Sequence, residues 1–182
     1  MIQPWKQIGR KLIGDFRIFK LWSDVKQSPR TGNQHDFFVL EAPNWCNIIA
    51  VTPDEKLVMV EQFRVGTNTI ELEIPGGVMD PGETDPMVTA VRELREETGY
   101  AGEKVRLLGT IHSNPAILTN KTFTVIIENC QLQHATDFDH GEDIVTHLVP
   151  IADIPELIRA GRISHSLVVV ALYHFELSRR GK

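Results

Sequence analysis

Apolar and polar positions form short alternating or continuous stretches along most of this chain, and shift to a helical spacing in only a few places. Residues 14–23 and 36–41 alternate loosely, as half-buried strands do, on either side of a polar turn region, 27–34. Residues 47–52 and 56–63 are apolar runs joined by Thr52-Pro53-Asp54-Glu55, so they predict a hairpin. Residues 69–74 predict a short strand stopped by Pro75 and the Gly76-Gly77 pair. The spacing then predicts a helix up to Thr98, with Asp85 as N-cap, Pro86 in the first helical position and Gly99 as terminator. Strands are expected over 105–112, 122–130 and 144–149, a short helix over 154–160, and a last helix over 164–177. Leu167, Val168, Ala171, Leu172 and Phe175 fall on the apolar side of that last helix. Many strands, one helix, more strands and two helices make a mixed α/β chain rather than a βαβ repeat. A layered α/β/α arrangement fits this order.

Length and composition narrow the picture. A chain of 182 residues, 42% apolar and 24% charged, has enough material for a sizeable core. The net charge of −5, with no basic stripe, argues against a duplex nucleic-acid partner. Cys46 and Cys130 form no CxxC pair or zinc-like cluster and are expected as reduced, buried thiols. No apolar run resembles a signal peptide or membrane span, so a cytoplasmic protein away from membranes is expected.

Candidate chemistry is concentrated between residues 76 and 99. Glu93, Glu96 and Glu97 stand at i, i+3 and i+4, which puts three carboxylates on one side of a helix, within reach of a common point. Like charges so placed repel by about 0.2–0.5 kcal/mol per pair. A hard divalent cation such as Mg²⁺ relieves that repulsion, takes oxygen ligands and retains sites for substrate phosphates. Gly76 and Gly77 let the backbone approach a ligand closely, so a carbonyl there is a reasonable further oxygen donor. Arg92 is expected to pair with Glu83 and orient the glutamates. Val88, Val91 and Leu94 are expected on the opposite side, facing the core.

Gly77, Glu83, Arg92, Glu93, Leu94, Glu96, Glu97, Gly99 and Tyr100 together resemble the Nudix box of the Nudix hydrolase family. One departure is visible. Eight residues, 84–91, separate Glu83 from Arg92, where the family pattern has seven. The resemblance implies a Nudix-type α/β/α sandwich with a mixed sheet and an N-terminal β extension. Residues 1–45 would form the extension, used for dimerisation and substrate contacts, and residues 46–182 the hydrolase domain. It implies Gly76, Glu93, Glu96, Glu97 and Glu142 as ligands of Mg²⁺, with Mn²⁺ as a substitute. Glu142, Glu96 and Arg92 would act in catalysis. Glu142 lies in an acidic loop where the ADP-ribose and nucleoside-diphosphate-sugar branch of the family, which this chain resembles, carries its base, and Asp139 and His140 stand as alternates.

Outside the box, Glu61-Gln62-Phe63-Arg64 and the run from Glu71 to Gly77 are similar to the ADP-ribose and nucleoside-diphosphate-sugar pyrophosphatase branch. By that similarity Arg64, Glu73 and Asn114 become candidate substrate contacts, and Asn114-Pro115-Ala116 reads equally as a structural turn; Trp45 is a candidate substrate contact by stacking on a base. Phe16, Phe19 and Trp22 are further candidates for stacking on a base. The expected activity is hydrolysis of ADP-ribose or a nucleoside diphosphate sugar to a nucleoside monophosphate and a sugar phosphate, by a homodimer. Rival readings are a coenzyme A or dinucleoside polyphosphate pyrophosphatase and, in another class, a nucleotide-sensing module on the same fold.

Overall fold

A computed structural model describes residues 1–180, and the chain in it divides into two compact units. Residues 181 and 182, part of the expected hydrolase domain, lie outside the described residues.

The first unit is Met1–Asn44 with His112–Lys121. Strands β1 (Lys6–Asp15), β2 (Lys20–Gln27) and β3 (Gln34–Glu41) form an antiparallel sheet in the order β1-β2-β3. The register of β2 on β3 is unbroken from Lys20↔Glu41 to Gln27↔Gln34, whereas β1 slips against β2 at Gln7/Gly9 and Leu12/Gly14. Both slips end at a glycine, the residue that fits a bulge most readily. The apolar alternation over 14–23 therefore belongs to two strands and not one. They are joined by a tight turn in which the Phe16 N–H donates to the Phe19 carbonyl at 2.9 Å and Arg17 takes φ 68°. The segment from His112 docks on β3, since Leu40 N–H donates to Ile117 O at 2.8 Å and Thr119 N–H to Leu40 O at 3.1 Å.

The second unit is Trp45–Ile111 and the chain from Thr122 onward. Its strands are β4 (Trp45–Val51), β5 (Lys56–Arg64), β6 (Thr69–Glu73), β7 (Gly76–Val78), β8 (Tyr100–His112), β9 (Lys121–Leu132) and β10 (Ile144–Pro150). The sheet order is β10-β5-β4-β9-β8, with β6 beside β5 and β7 beside β4. β4 runs parallel to β9 and antiparallel to β5 and β7, so the sheet is mixed. Helices α1 (Pro86–Thr98), α2 (Ile154–Arg159) and α3 (Ser166–Arg180) cover it.

Side chains of alternate residues show how. Ile48, Ala50, Val58, Val125 and Ile127 pack with Ala90 and Leu94 of α1. Ile49, Val51, Leu57, Met59 and Ile126 pack with Ile154 of α2 and Val168, Ala171, Leu172 and Phe175 of α3. A sheet buried on both faces has continuous apolar strands, which is why β4 and β5 read as runs and not alternations. The result is the α/β/α sandwich expected.

Two expectations fail here. Val88 and Val91 are 56% and 48% exposed, and the buried side of α1 is instead Pro86, Thr89, Ala90, Glu93, Leu94, Glu97 and Thr98. Two of the glutamates thus lie on the core stripe. Strand β7 was not anticipated, because three residues carry no periodic signal.

Candidate active site

The site is built on α1 and the strand that precedes it. Asp85 caps the helix by accepting from Met87 N–H at 2.9 Å, and Gly99 ends it at φ 72° with its N–H donating to Arg95 O at 2.8 Å. Cys46, beneath the helix start, donates to Pro86 O at 3.4 Å; burial pushes its thiol, and that of Cys130, up to about 12, so both are inert and reduced. Strand β7 pairs with β4 as Asn47↔Gly76, Cys46↔Gly77 and Trp45↔Val78. The glycines are needed there for different reasons. A Cβ on Gly76 would stand 2.4 Å from the Cys46 carbonyl oxygen, and one on Gly77 would stand 2.3 Å from Glu93 Oε1.

The three glutamates are not equivalent. Glu97 is buried, and its Oε2 accepts from Gly76 N–H at 3.0 Å. Burial raises its carboxyl to about 8; Glu93 and Glu142 push the same way, against the Gly76 N–H and Arg64. Glu93 is raised to about 7, again by burial first, with Glu96 and Glu142 adding to it and Arg92 opposing. Glu96 is partly exposed and shares Arg92 with Glu93: Nη1 donates to Glu93 Oε1 at 2.8 Å and to Glu96 Oε2 at 3.1 Å. The expected Arg92–Glu83 pair is long, at 3.8 Å. Among the described residues, no three acids, histidines or cysteines form a ready-made metal cage. Each of the three carboxylates has a partner: Arg92 for Glu93 and Glu96, the Gly76 N–H for Glu97.

Glu142 joins this field from the loop before β10. It acts on Glu93, Glu97 and Arg64, whereas Asp139 and His140 are exposed. The loop folds on itself, with Asp139 N–H donating to Glu142 Oε2 at 2.9 Å and Glu142 N–H to Asp139 O at 3.0 Å. Opposite, Arg64 on β5 grips Glu73 on β6 in a two-pronged pair, Nε to Oε1 and Nη2 to Oε2, both 2.7 Å. Glu73 is 3% exposed and both its oxygens accept from Arg64, so it holds that guanidinium in place.

Two buried carboxylates raised first by desolvation and then by neighbouring acids, with Arg92, Arg64 and one N–H against them, form a donor set that a hard divalent cation fits. Residues 43–168 match the NUDIX domain. The chain belongs to the Nudix hydrolase family. It is 30% identical to a methanol dehydrogenase activator of Bacillus methanolicus and 25% identical to an ADP-ribose pyrophosphatase of Bacillus subtilis (strain 168), in each case over 94% of this chain and 92% of the relative. It is 27% identical to a GDP-mannose pyrophosphatase of Escherichia coli O1:K1 / APEC, over 98% of both. A crystal structure described as an ADP compounds hydrolase superposes with a TM-score of 0.88 over 100% of this chain and 97% of its own, at 21% identity, which speaks to the fold. These relatives put it in the ADP-ribose pyrophosphatase branch.

The remaining candidates of this Nudix hydrolase each have partners within their own unit. Trp45 begins β4, half-buried, opposite Val78 and Thr122. Asn114 belongs to the first unit, where it makes a turn: its carbonyl accepts from Ile117 and Leu118 N–H at 3.1 and 2.8 Å, and its Oδ1 from Ala116 N–H at 3.3 Å. Phe16 and Phe19 lie against each other, ring centres 5.2 Å apart. Trp22 lies under Arg10, whose guanidinium is 4.1 Å above the ring. Sequence reading missed Asn47. Its Nδ2 donates to Leu167 O at 3.0 Å and its Oδ1 lies 3.2 Å from where a Gly76 Cβ would be, tying α3 to the glycine corner. Its only signal was a polar residue inside an apolar strand.

No described helix is long and apolar enough to cross a membrane.

Proposed function

We propose that this Nudix hydrolase is a Mg²⁺-dependent pyrophosphohydrolase that cleaves the diphosphate of ADP-ribose or a nucleoside diphosphate sugar into a nucleoside monophosphate and a sugar phosphate. The observation that carries the reading is the burial of Glu93 and Glu97 on the core side of α1, with Glu96 beside Glu93 and with Glu142 raising both buried carboxyls. Glu93, Glu96, Glu97 and Glu142, with the Gly76 carbonyl, would hold the cation. When bound, it would neutralise charge that develops on the phosphate oxygens in the transition state. Arg64, clamped by Glu73 through Nε and Nη2, keeps Nη1 for a phosphate oxygen. Glu142 has Oε2 tied to the Asp139 N–H, which leaves Oε1 to take the proton of a water attacking one phosphorus as the bridging P–O bond breaks. Arg92 keeps Glu93 and Glu96 side by side.

The relatives named as ADP-ribose and GDP-mannose pyrophosphatases support this substrate class. The homodimer is retained in the proposal because the first unit exposes Ile8, Leu12, Ile13 and Phe38 on its strands, and size-exclusion chromatography with light scattering tests it. The deciding experiment incubates the protein and Mg²⁺ with ADP-ribose, GDP-mannose, UDP-glucose, coenzyme A and dGTP, and measures nucleotide products. Turnover of the first three above the others is the expected result. Turnover of coenzyme A or dGTP alone refutes the substrate, and tight ADP-ribose binding with no Mg²⁺-dependent cleavage refutes the enzyme.

A further inference from the structure

The segment between β7 and α1 folds back on itself. Glu83 N–H donates to Asp80 O at 3.0 Å, and Asp80 N–H donates to Glu83 Oε2 at 2.9 Å. A second donor reaches that same oxygen. The hydroxyl of Thr89, inside α1 and fully buried, donates to Glu83 Oε2 at 2.7 Å. A helical threonine ordinarily returns its hydroxyl to the carbonyl four residues earlier, as Thr98 does to Leu94. Thr89 instead reaches out of the helix to the loop. Glu83 is held below the usual carboxylate range, chiefly by this hydroxyl and next by the Asp80 N–H, with Arg92 last.

Arg92 is the group with a choice. Its Nη2 donates to Val78 O at 3.4 Å and lies 3.7 Å from Asp80 Oδ2 and 3.8 Å from Glu83 Oε2, too far from either carboxylate for a hydrogen bond, while Nη1 holds Glu93 and Glu96 at 2.8 and 3.1 Å. A guanidinium is a stronger partner for a carboxylate than a hydroxyl is. If the oxygen facing it lost one of its donors, a shift of about 1 Å would close the Arg92–Glu83 pair, and Nη1 would leave the two glutamates.

We propose that Thr89 is a positioning residue of this Nudix hydrolase: by occupying Glu83 it keeps Arg92 turned toward Glu93 and Glu96. The inference rests on the reading of those glutamates as a cation site. It also accounts for the wide spacing of eight residues between Glu83 and Arg92, since the hydroxyl takes up a carboxylate that the spacing leaves at arm's length from the arginine.

The test is Mn²⁺ affinity, read by electron paramagnetic resonance of the free ion, alongside the Mg²⁺ concentration that half-activates turnover. Thr89→Val preserves shape and removes the hydroxyl. It is expected to weaken Mn²⁺ binding by about tenfold, the lower end of what loss of an outer-shell partner does, while Thr89→Ser stays within about twofold of wild type. The decisive variant is Thr89→Val combined with Glu83→Gln. With the Glu83 carboxylate gone and Asp80 Oδ2 still 3.7 Å from Nη2 as in the wild type, affinity should recover, whereas damage from mispacking would persist. Where Thr89→Val does not fold, Thr89→Ala replaces it in both arms. Unchanged affinity on loss of the hydroxyl overturns the proposal, and so does failure of Glu83→Gln to restore it. A wild-type protein that binds no Mn²⁺ overturns the cation reading itself and this proposal with it.

Discussion

Replacing Glu97 with glutamine should make the cation-free protein more stable while destroying its activity. The Glu97 carboxyl is buried and raised from an ordinary 4.5 to about 8. A carboxyl whose folded pKa is raised leaves the native state holding the extra proton, so stability falls as pH rises from the unfolded value to the folded one. At roughly 1.4 kcal/mol per pH unit, this one group takes away on the order of 3 kcal/mol between pH 5.5 and pH 8. Glutamine still offers an oxygen to the Gly76 N–H, 3.0 Å away, but does not titrate. In EDTA, urea unfolding of the wild type should weaken over that interval. Glu97→Gln should weaken much less and should be the more stable protein at pH 8. Adding Mg²⁺ at pH 8 should reverse the order, because the cation stabilises only the protein that binds it. Turnover by the variant should drop by about 10²–10³-fold, as when one transition-state partner is lost. A Glu97→Gln protein that is less stable than wild type at pH 8 in EDTA would refute the claim that this carboxylate is buried at a cost for a cation.

Other consequences are open to direct measurement. Arg64→Ala leaves Glu73 buried without its partner and should cost about 3 kcal/mol in urea unfolding; adding Glu73→Gln should restore much of the stability but not the substrate KM. Glu142→Gln should lower kcat by about 10²-fold with little change in unfolding midpoint, while Asp139→Asn and His140→Ala stay near wild type; equal loss in all three would remove Glu142 from its assigned role. Gly76→Ala drives a Cβ against the Cys46 backbone carbonyl and should destabilise the fold by about 1–3 kcal/mol. Gly77→Ala meets only the tip of the Glu93 side chain, so it should weaken Mn²⁺ binding far more than it shifts the melting temperature.

Much of this was legible in the sequence, for reasons that can be named. The caps of α1 are local chemistry, so Asp85, Pro86 and Gly99 marked its ends correctly. The apolar side of α3 follows a regular period, and Leu167, Val168, Ala171, Leu172 and Phe175 are all buried. What failed is as instructive. Five charged or polar residues, Thr89, Glu93, Glu97, Thr98 and Glu73, are buried among hydrophobes, and no polarity rule anticipates that. Placing the core on the side opposite the three glutamates turned α1 about its axis and sent Val88 and Val91 inward, when they face out.

That error has a physical lesson about the site. Glu93 and Glu97 stand four residues apart on the same stripe as Ala90 and Leu94, so the packing that anchors α1 to β4 and β9 also strips water from both carboxylates. Desolvation is the first cause of both elevated pKa values, ahead of any neighbouring charge. A fold that consisted only of favourable contacts would put valine at those positions. Holding acids there makes the apo protein weaker above neutral pH and gives a divalent cation more to relieve, since a charge already removed from water gains most from a counter-charge at short range. Glu96, partly in water and beside Arg92, lacks that leverage. In the proposed cation site the sandwich core would therefore set the strength of binding, while the loops contribute Glu142 and, through Glu83, the partner of Thr89.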